Sequence, residues 1–279
     1  MGQLDGQVAF ITGGARGQGR SHALALANEG CNIVVTDIAD GDTSLGYPLA
    51  DADQLAETVK LVEECGVKAI GIQADSRETE QIGAAVARTV EELGRIDIAI
   101  ANSGIVDYRT VEEMPDDLWG RVVDTNLTGV FKTIRAVIPQ MRSQSYGRII
   151  ATASMGARNT APNLSHYIAA KWGVIGLVKV TALEVADFGI TVNAVCPGAV
   201  GTDLFLNQPT YDLFVPDVQN PTSEDFHKRL DDLNYGLNGV RYLDAEDVSR
   251  AVMYLVTDRG LISGQVMEIG LLGPARSIY

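Results

Sequence analysis

Seven short runs of β-branched and small apolar residues punctuate the chain, at 8–12, 32–37, 67–72, 96–101, 147–152, 191–195 and 265–269. Most of the gaps between them are long enough to hold a helix. A strand with one wet face alternates apolar and polar residues, whereas runs apolar throughout are strands covered on both faces. Helical patterns occupy 17–30, 53–66, 79–94, 119–142 and 167–188, and several end at a glycine suited to a left-handed C-cap. This alternation predicts an α/β fold built on a doubly wound parallel sheet of seven strands, carried by one domain over residues 1–279.

Two stretches are too long for that scheme, in which a strand-to-helix link usually takes about 2 to 6 residues. One is an insertion at 38–52. The other, 203–241, interleaves Phe205, Tyr211, Phe214, Phe226 and Tyr235 with three prolines. Such long aromatic connections act as lids or binding loops, which predicts a substrate-binding lid.

Charge removes several classes of partner. With 22 Lys+Arg against 36 Asp+Glu the net charge is −14, so nucleic acid and anionic membranes are excluded as partners. No run approaches the roughly 18 to 20 apolar residues of a membrane span, and the N-terminus lacks a basic region followed by an apolar core. A soluble, cytoplasmic protein is expected. Cys31, Cys65 and Cys196 are far apart and lack metal-ligand spacing, and His22, His166 and His227 do not cluster with acids or thiols. No metal is expected. His166, at a helix start, reads as a surface residue.

Directly after the first strand comes Thr12-Gly13-Gly14-Ala15-Arg16-Gly17-Gln18-Gly19, which opens a helix. Glycines there let the backbone approach a pyrophosphate, which the free N–H groups and positive dipole end of the helix attract. Asp37 closes the second strand 20 residues beyond Gly17. A carboxylate in that place accepts hydrogen bonds from an adenosine ribose and repels a 2′-phosphate, which favours NAD over NADP. Arg16 is the counter-indication, since a basic residue in the loop suits a 2′-phosphate, but no Arg or Lys follows Asp37 in Ile38-Ala39-Asp40.

Over essentially its whole length the chain resembles the short-chain dehydrogenase/reductase family, in particular its carveol-dehydrogenase-like members. The likeness rests on the Gly-x-x-x-Gly-x-Gly loop, on Asn102-Ser103-Gly104 where the family has Asn-Ala-Gly, on Tyr167-x-x-x-Lys171, and on Pro197-Gly198 followed by Val200 and Thr202. It implies a three-layer Rossmann fold and a catalytic tetrad of Asn126, Ser154, Tyr167 and Lys171. It further implies NAD contacts from Gly13, Arg16, Gly17, Gln18 and Gly19, from Asp37 and Ile38, and from Asp75 and Ser76 at the adenine. Asn102, Gly104, Thr125, Tyr167 and Lys171 also belong to that set, as do Pro197, Gly198, Val200 and Thr202, in the segment that holds the nicotinamide carboxamide.

The chemistry of these residue types is consistent with that assignment. Tyr167 and Lys171 share one helix face, and a nearby cation lowers a phenol pKa, ordinarily near 10, by about 1 to 3 units. Ser154 ends the fifth strand at the sheet edge where open α/β folds bind ligands, and its hydroxyl can hold a substrate oxygen. Asn126 either bonds backbone within a helix or, following the family, holds a water that relays protons to Lys171.

The apolar side chains Leu204, Phe205, Leu206, Leu213 and Phe214 suggest a greasy cover over a hydrophobic secondary alcohol or ketone, a terpenoid such as carveol or a steroid. Packing between subunits or onto the domain is the competing account, and Arg158 and Asn159 could equally serve a polar substrate. The 38–52 insertion resembles that of a subfamily associated with the redox carrier mycofactocin, in which NAD is retained. Leu45, Tyr47, Pro48 and Leu49 are then expected to cover the cofactor. The family is commonly tetrameric, and the apolar tail at 270–279 with the faces of the 119–142 and 167–188 helices reads as homotetramer contacts. Two rival functions remain: a 3-oxoacyl-thioester ketoreductase, disfavoured by Asp37 and the acidic charge, and a non-catalytic dinucleotide sensor, disfavoured by the complete tetrad.

Overall fold

The computed structural model describes residues 2–272 and 275. Its strands are β1 Val8–Thr12, β2 Asn32–Asp37, β3 Ala69–Gln73, β4 Ile98–Ala101, β5 Gly147–Thr152, β6 Ile190–Pro197 and β7 Val266–Ile269. They form one sheet in the order β3-β2-β1-β4-β5-β6-β7, every neighbouring pair parallel. The order reverses between β1 and β4, so the C-terminal ends of these strands open onto a crevice, the place where such sheets bind ligands.

The helices are α1 Gly17–Asn28, α2 Ala52–Glu63, α3 Thr79–Leu93, α4 Asp116–Val123, α5 Gly129–Gln144, α6 Ser165–Glu184, α7 Gln208–Phe214, α8 Ser223–Asp232 and α9 Ala245–Thr257. Because side chains alternate along a strand, the strands serve two cores at once. Phe10 and Ala99 face α3, α5 and α6 through Val86, Ile134 and Val178. Ala9, Ile11, Ile98 and Ile100 face α1, α2 and α9 through Leu26, Val62 and Val252. That two-sided burial is the physical reason the strand sequences show no polar alternation.

Several element boundaries differ from the expectations, each for a local reason. The fourth strand starts at Ile98, not 96, because the buried Asp97 carboxylate accepts from the Val8 amide and the Arg95 guanidinium. The sixth strand is longer than expected, and the third begins two residues later. The helix expected over 119–142 is α4 and α5 joined by a π-helical turn, Asp124–Thr128. One extra residue in a turn barely disturbs hydrophobic periodicity, so the sequence reads through it as continuous helix. Cys31 and Cys196 are buried, while Cys65 is half-buried. Among the described residues no helix is long and apolar enough to cross a membrane. The expected subunit contact at 270–279 lies largely outside the described residues.

Candidate active site

A single cleft of about 1380 Å³ runs along the C-terminal edge of the sheet, from Asp37 and Asp75 at one end to Ser154, Tyr167 and Lys171 at the other. Its floor begins at the glycine loop, where Gly13 and Gly17 have φ of +66° and +54°. A Cβ at Gly13 would lie 2.9 Å from the Ser103 backbone, and one at Gly19 would meet the Gly13 carbonyl at 2.0 Å. The loop therefore needs glycine both for its left-handed backbone and for the close seat of α1 against the strand.

Arg16 occupies the N-cap of α1 and its side chain makes no capping bond. The first-turn N–H groups are thus left to a ligand. Gln18 lines the cleft with a buried Oε1 that lacks a hydrogen-bond partner, a second mark of a polar group meant to bind here. Asp37 receives the Ala15 amide at 3.1 Å, and burial pushes its carboxyl above the ordinary range against that bond. A dinucleotide fits these residues.

Among the described residues four arginines line the cleft, and each is matched by a carboxylate, Arg158 by Glu268 at 2.6 Å. Arg16 bonds Asp203 at 2.7 Å, Arg77 bonds Asp75 at 2.6 Å, and Arg121 bonds Asp42. Arg16 also donates to the Pro48 carbonyl. It thereby ties the glycine loop to both the insertion and the start of the lid, instead of standing ready for a 2′-phosphate. Asp75 spends its carboxylate on Arg77, with Ser76 buried beside it. Burial pushes the Asp75 carboxyl up, but the bonds and charge from Arg77 outweigh it and hold its pKa low.

Asn102 is largely a structural latch. Its Nδ2 donates to the Gly13 carbonyl at 3.1 Å, its Oδ1 accepts from the Thr152 hydroxyl at 3.1 Å, and its amide donates to Thr12. Three strand ends are held together through one side chain. On the far side Gly198 donates to the Ile269 carbonyl, and Gly201 to Leu243, which set Pro197, Gly198, Val200 and Thr202 along the rim. Ile38, Gly104 and Thr125 also line the cleft.

The tetrad residues converge, though not all as the sequence implies. Lys171 is buried and donates to the Thr152 carbonyl at 2.7 Å, with Nζ 5.7 Å from the Tyr167 ring centroid. Burial lowers its pKa to about 8. Burial raises the Tyr167 phenol, opposed by a hydrogen bond with Ser154. Helical spacing brings the two side chains together, with the ammonium bonded to the Thr152 carbonyl beside the Tyr167 ring. A pKa near 8 brings the Lys171 ammonium within range of proton exchange near neutral pH. Ser154 accepts from the Gly156 amide at 3.0 Å, which leaves its hydroxyl hydrogen for other partners.

Asn126 lies in the π-helical turn and is fully buried. It accepts from the Ile105 amide at 3.0 Å and donates to the Ile105 carbonyl at 2.8 Å. A Cβ at Gly104 would fall 2.7 Å from its Oδ1 and 3.5 Å from the Lys171 Nζ, so Gly104 keeps open the passage between them. His166, expected at the surface, is instead fully buried. Burial lowers its pKa, and the nearby Asp107 opposes this.

The lid splits in two. Phe226 is fully buried in an aromatic cluster with Phe205, Tyr211, Phe214 and Tyr235, a small core of its own. Leu204, Phe205, Leu213 and Phe214 line the cleft as expected, whereas Leu206 turns into the cluster. The packing account and the cover account each hold for part of the segment. The insertion likewise divides. Leu49 and Tyr47 line the cleft, Pro48 is exposed, and Leu45 and Tyr47 are buried against Ile105, Val106 and Val122. Tyr47's packing against the substrate-side segment 105–106 was not legible from the sequence, and nothing local signals it.

Comparison with known proteins bears on this site. Residues 7–210 match the short chain dehydrogenase family. The chain is 41% identical over 272 residues to (−)-trans-carveol dehydrogenase of Rhodococcus erythropolis, covering 96% of this chain and 98% of that one. It is similar to the crystal structure of carveol dehydrogenase from Mycobacterium avium in complex with NAD, at a TM-score of 0.92 and 41% identity over 96% of this chain and 98% of the other. An NAD+-bound xylitol dehydrogenase is more distant, with TM-score 0.83 and 28% identity over 96% and 98% of the two chains.

Proposed function

The chain belongs to the short-chain dehydrogenase family, and on that premise we propose that it is an NAD-dependent dehydrogenase of hydrophobic secondary alcohols, or a reductase of their ketones. The carrying observation is that Ser154, Tyr167 and Lys171 converge at one end of a cleft whose other end carries the buried Asp37. When bound, oxidised nicotinamide supplies the hydride acceptor and a positive charge. Gly13, Gly17 and Gly19 seat the pyrophosphate, Gln18 adds a polar contact, and Asp37 selects the ribose that lacks a 2′-phosphate.

In this reading Ser154 holds the substrate oxygen while Tyr167 accepts its proton during oxidation and returns it during reduction. Lys171 fixes the ribose and holds the exchanging proton at its Nζ. Asn126 shapes the passage from Nζ past Gly104 by which that proton reaches solvent. Leu204, Phe205, Leu213 and Phe214, with Val106 and Leu164, favour an apolar substrate, and resemblance to a carveol dehydrogenase supports a terpenoid.

The tie from Arg16 to Pro48 and Asp203 supports an insertion that straps the adenosine end of NAD, retains it between turnovers, and passes electrons to an external redox carrier such as mycofactocin. Exposed Trp119, Phe131, Trp172, Val180 and Leu183 on α4, α5 and α6 support assembly as a homotetramer. The test is mass spectrometry of any dinucleotide released on denaturation, followed by assays of cyclic secondary alcohols with added NAD+ and, separately, with an artificial electron acceptor. Co-purified NAD with turnover only on the acceptor supports retention. Free turnover with added NAD+ makes the enzyme an exchanging dehydrogenase, and failure both to oxidise any alcohol and to reduce the matching ketones with NADH removes the proposal.

A further inference from the structure

Insertion, substrate wall and lid are joined pairwise into a closed triangle. On the first side, the Tyr47 hydroxyl donates to the Val106 carbonyl at 3.1 Å and accepts from the Val106 amide at 3.0 Å. Both backbone groups of one wall residue are thus satisfied by one buried phenol. On the second, the Tyr108 hydroxyl lies 3.0 Å from the Thr210 hydroxyl, at the start of α7 in the lid. On the third, Gly46 of the insertion, at φ +79°, sits so close to Pro209 that a Cβ would lie 2.8 Å from its ring.

The wall has no regular structure of its own, so its position depends on these side-chain bonds. Residues 103–108 lie outside any strand or helix, and the described backbone bonds outside regular elements place none on the Val106 amide or carbonyl. Buried backbone groups are almost always partnered, so removing the Tyr47 hydroxyl leaves two to find new partners by moving. Ile105, Val106 and Tyr108 line the cleft beside Leu164 and Tyr167. A shift of the wall therefore changes the room available to the part of a substrate remote from its reacting carbon.

We infer that the insertion is a substrate-specificity element, with Tyr47 as a positioning residue that sets the substrate wall and, through Tyr108 and Thr210, the lid against it. This rests on the alcohol dehydrogenase reading of the same cleft. A bulky cyclic alcohol touches wall and lid together, whereas a small one is held mainly by Ser154 and Tyr167. Loss of wall position accordingly falls on the larger substrate.

The experiment compares Tyr47→Phe with the unaltered enzyme on a ten-carbon cyclic secondary alcohol and on 2-butanol, and follows amide hydrogen exchange at 104–110 and 208–214. The ratio of kcat/KM for the large alcohol to that for the small is expected to fall about tenfold, mostly through the KM of the large one. Exchange at 104–110 is expected to rise. Equal losses on both alcohols, as general destabilisation would produce, overturn the inference. Should Tyr47→Phe fail to fold, Tyr108→Phe removes only the wall-to-lid bond and must show the same skew. If the unaltered enzyme oxidises neither alcohol, the dehydrogenase reading fails on its own, and unchanged exchange at 104–110 in Tyr47→Phe still refutes the positioning role.

Discussion

Cutting the strap at its exposed end tests whether it governs cofactor release. Arg16 and Asp203 meet at 2.7 Å with their side chains 19% and 60% exposed. A fully exposed ion pair contributes about 0.2–1 kcal/mol, and a sheltered charge-assisted bond about 1.5–3 kcal/mol. This half-sheltered pair belongs near 1 kcal/mol, which is about fivefold in a rate. If the strap opens before a dinucleotide leaves, Asp203→Ala speeds dissociation by about that factor without altering the glycine loop. Stopped-flow fluorescence of NADH displaced by excess NAD+ reads the rate. Salt should accelerate release from the unaltered enzyme more than from the variant, because the bond it screens is already gone. A dissociation rate unchanged in Asp203→Ala, or an Arg16→Gln effect that simply adds to it in the double variant, refutes the reasoning.

Deleting 41–49 should speed NADH release beyond the Asp203→Ala effect, since it removes the Pro48 carbonyl and the cover together; an unaltered off-rate in the same assay speaks against any clamp. Tyr167→Phe should lower kcat by about 100-fold or more while equilibrium dialysis shows the dinucleotide still bound. Asp37→Ala should weaken NAD by about tenfold and narrow its advantage over NADP, read from paired titrations. Lys171 predicts a pH-dependent stability. The unfolded chain keeps its proton up to 10.5 and the folded chain releases it near 8, so folding is favoured increasingly as pH rises through that window. The full effect is about 3 kcal/mol. Lys171→Met should therefore lose ground to the unaltered protein between pH 8 and 10 in chemical denaturation, and parallel profiles would contradict the burial argument.

How much of this was legible in the sequence depended on distance along the chain. The strands, the glycine loop and the Tyr167–Lys171 pair are local signals, carried by periodicity or by spacing within one element. Arg16 shows the limit. Its residue type suggested a phosphate ligand, and its partner Asp203 lies 187 positions away, where no spacing rule reaches. Tyr47 and Val106 are 59 apart for the same reason. The relation of Lys171 to Tyr167 was legible only in part. Helical spacing brought the side chains together, but competition for the ammonium came from the Thr152 carbonyl, which belongs to the neighbouring strand. His166 looked like a surface residue because a helix start is usually wet, and here the ring is fully buried.

The contact of Gly46 with Pro209 carries a consequence for anyone recombining this scaffold. Lids are the obvious cassettes to exchange between dehydrogenases when a different substrate is wanted. Here a foreign lid would arrive against a neighbour cut to fit another, with no space for even a methyl group at the seam. The transferable unit is two segments, 38–52 and 203–241, more than 150 residues apart in sequence yet needing to be moved as a pair.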